Sequence, residues 1–102
     1  MAIEEISVVD LADRMESGLT VLDVREPDEV AEVRVPGVLP IPLGDVMARM
    51  GEIPEGELAI ICKGGGRSMQ ACEQLAAAGR TVVNVAGGTT AWVEAGLPTE
   101  AG

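Results

Sequence analysis

Three short apolar runs constrain this chain more than any other feature: Thr20-Val21-Leu22-Asp23-Val24, Leu58-Ala59-Ile60-Ile61-Cys62 and Thr81-Val82-Val83-Asn84-Val85. Each is rich in β-branched residues and bounded by turn signals, as expected of strands covered on both faces of a parallel sheet. A weaker extended piece runs from Val38 to Leu43, where Pro40 and Pro42 remove ladder donors and predict poor or edge pairing. Between these runs the period becomes helical. Val8, Leu11 and Met15 share a face, with Gly18 as the stop. Pro27 stands where a first helical residue tolerates it, and Val30 and Val33 follow on one side. Val46, Met47 and Met50 form another apolar stripe, with Asp45 as its N-cap. Met69, Cys72, Leu75 and Ala76 form the longest stripe, closed by Gly79. Thr89 or Thr90 caps a last helix through Trp92 and Val93, stopped by Gly96 and Pro98. Strands alternating with helices, joined by short connections, predict an α/β domain: an open, mostly parallel sheet flanked by helices on both faces. Residues 1–102 read as one domain with its core at about 3–98.

Composition then removes most of the chemistry open to such a fold. The 102 residues include no histidine, no tyrosine, no phenylalanine, one tryptophan and two cysteines. Without imidazole there is no Ser-His-Asp triad, no Cys-His pair and no histidine metal site. Two thiols fall short of a four-thiolate zinc site or an intrachain iron–sulfur cluster, so no metal and no cofactor is expected. Seventeen acids against seven bases give a net charge of −10, which repels a phosphate backbone and argues against nucleic acid. No run approaches the ~20 apolar residues that span a bilayer, so no membrane role is expected. Met1-Ala2-Ile3-Glu4-Glu5 shows neither the basic region nor the apolar run of a signal peptide. A cytoplasmic protein with reduced thiols is the expectation. The core must be built from Val, Leu, Ile, Ala and Met, with Trp92 anchoring the last helix against the sheet.

One segment carries chemistry: Cys62-Lys63-Gly64-Gly65-Gly66-Arg67-Ser68. It follows an apolar strand and precedes a helical stripe, at the carboxyl end of the sheet where open α/β folds bind ligands. Three successive glycines clear the Cβ atoms that would keep backbone N–H groups from converging, and the helix N-terminus adds its positive dipole end. Lys63 and Arg67 add full charges. A cysteine at the mouth of such a nest has its thiolate favoured, an activation that needs no histidine base. The bland alternative is a flexible turn beside a small buried hydrophobe. The coincidence of cysteine, glycines, cations and a strand-to-helix junction favours function. A Walker-type phosphate loop is excluded because Arg67-Ser68 stands where Gly-Lys-Ser/Thr would close it.

Cys62-x-x-Gly65-x-Arg67-Ser68 resembles the active-site loop of single-domain rhodaneses, the sulfurtransferases. Leu22-Asp23-Val24-Arg25-Glu26-Pro27-Asp28-Glu29 is similar to that family's Leu-Asp-Val-Arg segment. Val35-Pro36-Gly37-Val38 with Ile41-Pro42-Leu43, and Gly87-Gly88-Thr89-Thr90-Ala91-Trp92 with Gly96-Leu97-Pro98, resemble two further stretches. The resemblance implies a rhodanese-like fold and a sulfur relay. Cys62 would take the outer sulfur of a small anionic donor such as thiosulfate, hold it as a persulfide, and pass it to a thiol or cyanide acceptor. A sulfur-accepting protein partner is one form that acceptor takes. Lys63, Gly64, Gly65, Gly66, Arg67 and Ser68 would bind the donor: the backbone N–H groups by solvating it, Arg67 by orienting its oxyanion, and Lys63 as a mobile charge at the rim. Ser68 is expected to bond a loop N–H or, better, to cap the helix. Lys63 suits dianionic thiosulfate more than 3-mercaptopyruvate.

Four residues separate Cys62 from Arg67, against five in cysteine phosphatases and arsenate reductases, so the loop is too small for tetrahedral phosphate. A second reading is a non-catalytic rhodanese-like interaction or sulfur-carrier module, and retention of Cys62 favours the enzyme. Val33-Arg34 departs from the family's Gly-His, and Val30 from its usual aromatic. Arg34 is expected to pair with Glu32 or Asp28 on the surface, the alternative being to extend the positive rim of the pocket. Asp23 and Arg25 are read as fixing the strand end and adjoining loop, and Cys72 as a packing residue rather than a resolving thiol.

Overall fold

The computed structural model describes residues 2–102. Its strands are β1 (Glu4–Ile6), β2 (Thr20–Asp23), β3 (Leu39–Pro40), β4 (Leu58–Ile61) and β5 (Val82–Val85). Its α-helices are α1 (Val8–Glu16), α2 (Pro27–Glu32), α3 (Gly66–Ala77) and α4 (Gly88–Glu94). The sheet order is β1-β5-β4-β2-β3, and every pairing is parallel. The three apolar runs are its interior strands, as their β-branched composition requires. The proline-bearing β3 lies at an edge, paired through Leu39 and Pro40 alone.

Alternation along the strands sorts the core into two layers. Leu22, Val24, Ile60 and Cys62 pack with Ala71, Cys72 and Leu75 of α3 on one face. Val21, Ala59, Ile61, Val83 and Val85 pack with Leu11 of α1 and Trp92 of α4 on the other. Trp92 is buried as expected, and its indole N–H donates to the Pro98 carbonyl at 2.7 Å.

Several local expectations are corrected. The stripe after Asp45 forms no α-helix; two 3₁₀ turns, Leu43–Asp45 and Met50–Glu52, replace it, with Asp45 inside the first rather than capping. Gly44 and Gly51 weaken α-helix over this stretch, while Val46 still reaches the core. Val33 lies outside α2 as its extended C-cap residue. Neither Thr89 nor Thr90 caps α4; the cap position is Gly87, with Thr89 in the first turn. The edge strand β1, Glu-Glu-Ile, carries one buried apolar residue and was beyond the reach of an apolar-run criterion.

Candidate active site

Cys62 is the first residue past β4, at the carboxyl edge of the sheet. Its Sγ is 3.0 Å from the Gly65 backbone N–H and 3.2 Å from the Ser68 hydroxyl, and the residue is only 1% exposed. The sharp return of the chain requires φ +113° at Gly65, a left-handed conformation that side chains resist. Gly64 and Gly66 carry no such demand, and a Cβ at either would meet nothing within 4 Å. The glycine requirement of the turn itself therefore rests on Gly65.

Burial pushes the Cys62 thiol up, but hydrogen bonds from the Ser68 hydroxyl and the N–H groups of Ser68, Gly65 and Gly64 outweigh it. The net ionisation falls below the ordinary 9.0. Ser68 is not the helix cap expected from sequence. Gly65 holds that position, and Ser68 sits buried in the first turn with its hydroxyl 3.1 Å from the Gly65 carbonyl. One hydroxyl proton cannot serve both neighbours. In the thiol state S–H donates to Ser68 Oγ, and the hydroxyl donates to Gly65; in the thiolate state the hydroxyl turns to sulfur. The Gly65 carbonyl then keeps the Met69 N–H at 3.2 Å and the Asn84 amide at 3.3 Å.

The start of α4 braces the loop from behind. Thr89 N–H donates to the Cys62 carbonyl at 2.8 Å and Thr90 N–H to the Lys63 carbonyl at 3.1 Å. The Thr89 hydroxyl adds a second bond to Cys62 O at 3.1 Å. Approach is so close that a Cβ on Gly88 would stand 2.5 Å from both carbonyl oxygens. Asn84 ties the loop to β1 as well, donating to Glu5 at 2.9 Å, while its buried Oδ1 has no partner. Asn84 and Thr89 were missed from sequence. The signal available for Asn84 was a single amide interrupting the otherwise apolar strand Val82–Val85.

Arg67 does not stand free for a ligand. Its Nη1 and Nη2 lie 2.7 and 2.9 Å from the two carboxylate oxygens of Glu29 on α2, a bidentate pair. The bond from Arg67 first, and the Glu26 N–H second, hold the Glu29 carboxyl at about 2, below its ordinary 4.5. Lys63 is exposed and lines a cleft of about 260 Å³ together with Glu29, Glu32, Thr90, Val93 and Glu94. Arg25 and Asp23 take the supporting role read from the sequence. Arg25 binds Asp23 through Nε at 3.1 Å and Nη2 at 2.9 Å, and reaches the carbonyls of Glu29 at 3.3 Å and Val33 at 2.8 Å. This buried pair anchors the helix that carries Glu29. Arg34 pairs with Glu100 at 3.6 Å and not with Glu32 or Asp28, because the C-terminal stretch lies antiparallel beside it.

Cys72 packs in the α3 layer, fully buried, and burial raises its thiol to about 12. Both cysteines are free, with no disulfide between them.

Residues 7–95, which include this loop, match the rhodanese-like domain. The chain belongs to the rhodanese-like family. YtwF of Bacillus subtilis is 40% identical over 95 residues, covering 90% of this chain and 92% of that protein. The protein named sulfurtransferase in Allochromatium vinosum is 38% identical over 100 residues, covering 94% of each chain. The crystal structure of a rhodanese-related protein from Thermoplasma volcanium superposes with a TM-score of 0.89 at 33% identity, covering 95% of this chain and 97% of that one. The rhodanese-like fold expected from the loop is thus the fold present. Among the described residues no helix is long and apolar enough to cross a membrane.

Proposed function

We propose that this rhodanese-like chain is a sulfurtransferase that carries a sulfane sulfur as a persulfide on Cys62. The observation that supports it best is the Cys62 Sγ held at 3.0 Å by the Gly65 N–H and at 3.2 Å by the Ser68 hydroxyl, in a chain with no histidine. Donors aimed at an anionic sulfur stabilise charge where the reaction needs it, without a separate base.

With thiosulfate as donor, the Cys62 thiolate attacks the outer sulfur. A new S–S bond forms, the donor's S–S bond breaks, and its electron pair leaves with sulfite. The enzyme retains Cys62–S–S⁻. The N–H groups of Gly64, Gly65 and Ser68 and the Ser68 hydroxyl, which favour the thiolate, solvate the persulfide as well. Lys63 at the rim supplies a charge for the incoming anion. A thiol or cyanide then attacks the outer sulfur of the persulfide and returns Cys62 as thiolate. Intracellular use in the cytoplasm, with a small thiol or a protein thiol as acceptor, accords with two unpaired cysteines.

Intact-mass measurement after incubation with thiosulfate tests the reading. Wild type should gain the mass of one sulfur atom, cyanide should remove it, and Cys62→Ser should gain nothing. A folded wild-type chain that stays unmodified would overturn the proposal.

A further inference from the structure

The pairing of Arg67 with Glu29 changes what the loop offers a donor. Lys63 is the one side-chain cation among the described residues with neither an ion pair nor a side-chain hydrogen bond. Arg67 is the other cation of the loop, and both of its terminal nitrogens face Glu29. Glu29 itself is fixed from its own side: Oε1 accepts the Glu26 N–H at 3.0 Å, and its carbonyl accepts from Arg25 at 3.3 Å. It also lines the cleft that Lys63 lines, alongside the unpaired carboxylates of Glu32 and Glu94. A dianion entering there meets Lys63 as the one free cation, the Asp23-paired guanidinium of Arg25 and three carboxylates, while Arg67 is held against Glu29 and does not line the cleft. To engage Arg67 it must compete with a carboxylate already in bidentate geometry.

We infer that Glu29 is a specificity-determining positioning residue, which withholds Arg67 from the donor and shifts preference from dianionic toward monoanionic sulfane-sulfur donors. The inference rests on the sulfurtransferase reading and refines its substrate class. Two small donors isolate charge from chemistry. Thiosulfate delivers sulfur with departure of sulfite; methanethiosulfonate delivers it with departure of methanesulfinate. In each, the thiolate forms one S–S bond, one S–S bond breaks, and the leaving group takes the electron pair. The two differ by one negative charge.

Rates of thiocyanate formation with each donor give kcat and KM for wild type, Glu29→Gln and the double variant Glu29→Gln/Arg67→Ala. For Glu29→Gln, the kcat/KM ratio of thiosulfate to methanethiosulfonate should rise about fivefold, mostly through KM for thiosulfate, as loss of a partly exposed ion pair allows. Removing Arg67 as well should return the ratio to the wild-type value or below, and raised salt should shrink the gain. If Glu29→Gln unfolds, Glu29→Ala provides the same comparison. An unmoved ratio, or an equal fall with both donors, would overturn the role of Glu29 while leaving sulfur transfer standing. No turnover with either donor in folded wild type would overturn the sulfurtransferase reading and this inference with it.

Discussion

Two thiols, one at the end of β4 and one inside α3, are buried to almost the same degree: Cys62 is 1% exposed and Cys72 is 0%. Their ionisation moves in opposite directions. Burial raises Cys72 to about 12, whereas at Cys62 the same desolvation is overcome by hydrogen bonds from Ser68 and the backbone of the turn. Exposure does not account for the difference between the two thiols. What separates them is the supply of unpaired N–H and O–H donors, which a turn entering a helix leaves free and a helix interior has already committed to its own carbonyls.

The largest expected effect comes from exchanging the two sites. Cys62→Ser should abolish sulfur loading by intact mass, while Cys72→Ala should load normally and lose about 1 kcal/mol of unfolding free energy in denaturant titration. Loading that depends on Cys72 would erase the contrast. Next comes the brace. Gly88→Ala forces a Cβ toward the carbonyls of Cys62 and Lys63 at φ +57°, and should destabilise the fold by about 1–3 kcal/mol while depressing Cys62 alkylation. Gly66→Ala meets open space and should keep stability within about 1 kcal/mol of wild type. A smaller effect tests the donors one at a time. Ser68→Ala removes the largest stabiliser of the thiolate, so Cys62 alkylation at neutral pH should slow by roughly five- to tenfold, with Cys72 silent before and after.

The smallest effect concerns the pair that holds the loop to α2. Because the Glu29 carboxyl lies at about 2 when folded and at 4.5 ordinarily, its contribution is present above pH 4.5 and is lost as pH falls toward 2. Glu29 is 28% and Arg67 35% exposed, so solvent screening limits the contribution to about 1 kcal/mol. Glu29→Gln should show that deficit at pH 7 in urea unfolding and match wild type near pH 2.

The sheet was legible because its apolar, β-branched runs suit strands covered on both faces, and the candidate site was legible as a cluster because cysteine, glycine and cation fell within seven residues. The brace and the ion pair were not legible. Thr89 meets Cys62 across 27 positions and Arg67 meets Glu29 across 38, distances over which spacing carries no geometric information. Arg67 therefore read as a free anion-binding group until α2 was placed beside it. Ser68 misled for a related reason: serine near a helix start is a common cap, but the left-handed turn at Gly65 moved the cap position three residues earlier. The 3₁₀ turns after Pro42 show the limit of reading an apolar stripe: Val46 is buried and Met50 packs against the core, but Met47 is 45% exposed and the hydrogen bonding is not that of an α-helix.

The most direct test is the rate of iodoacetamide modification at each cysteine as a function of pH, resolved by peptide mass. The expected result is a Cys62 midpoint below 9.0, with Cys72 unmodified throughout the range in which the chain stays folded. A Cys62 midpoint at or above 9.0, or modification of both thiols together, would contradict the claim that the turn's hydrogen-bond donors lower the ionisation of this one sulfur.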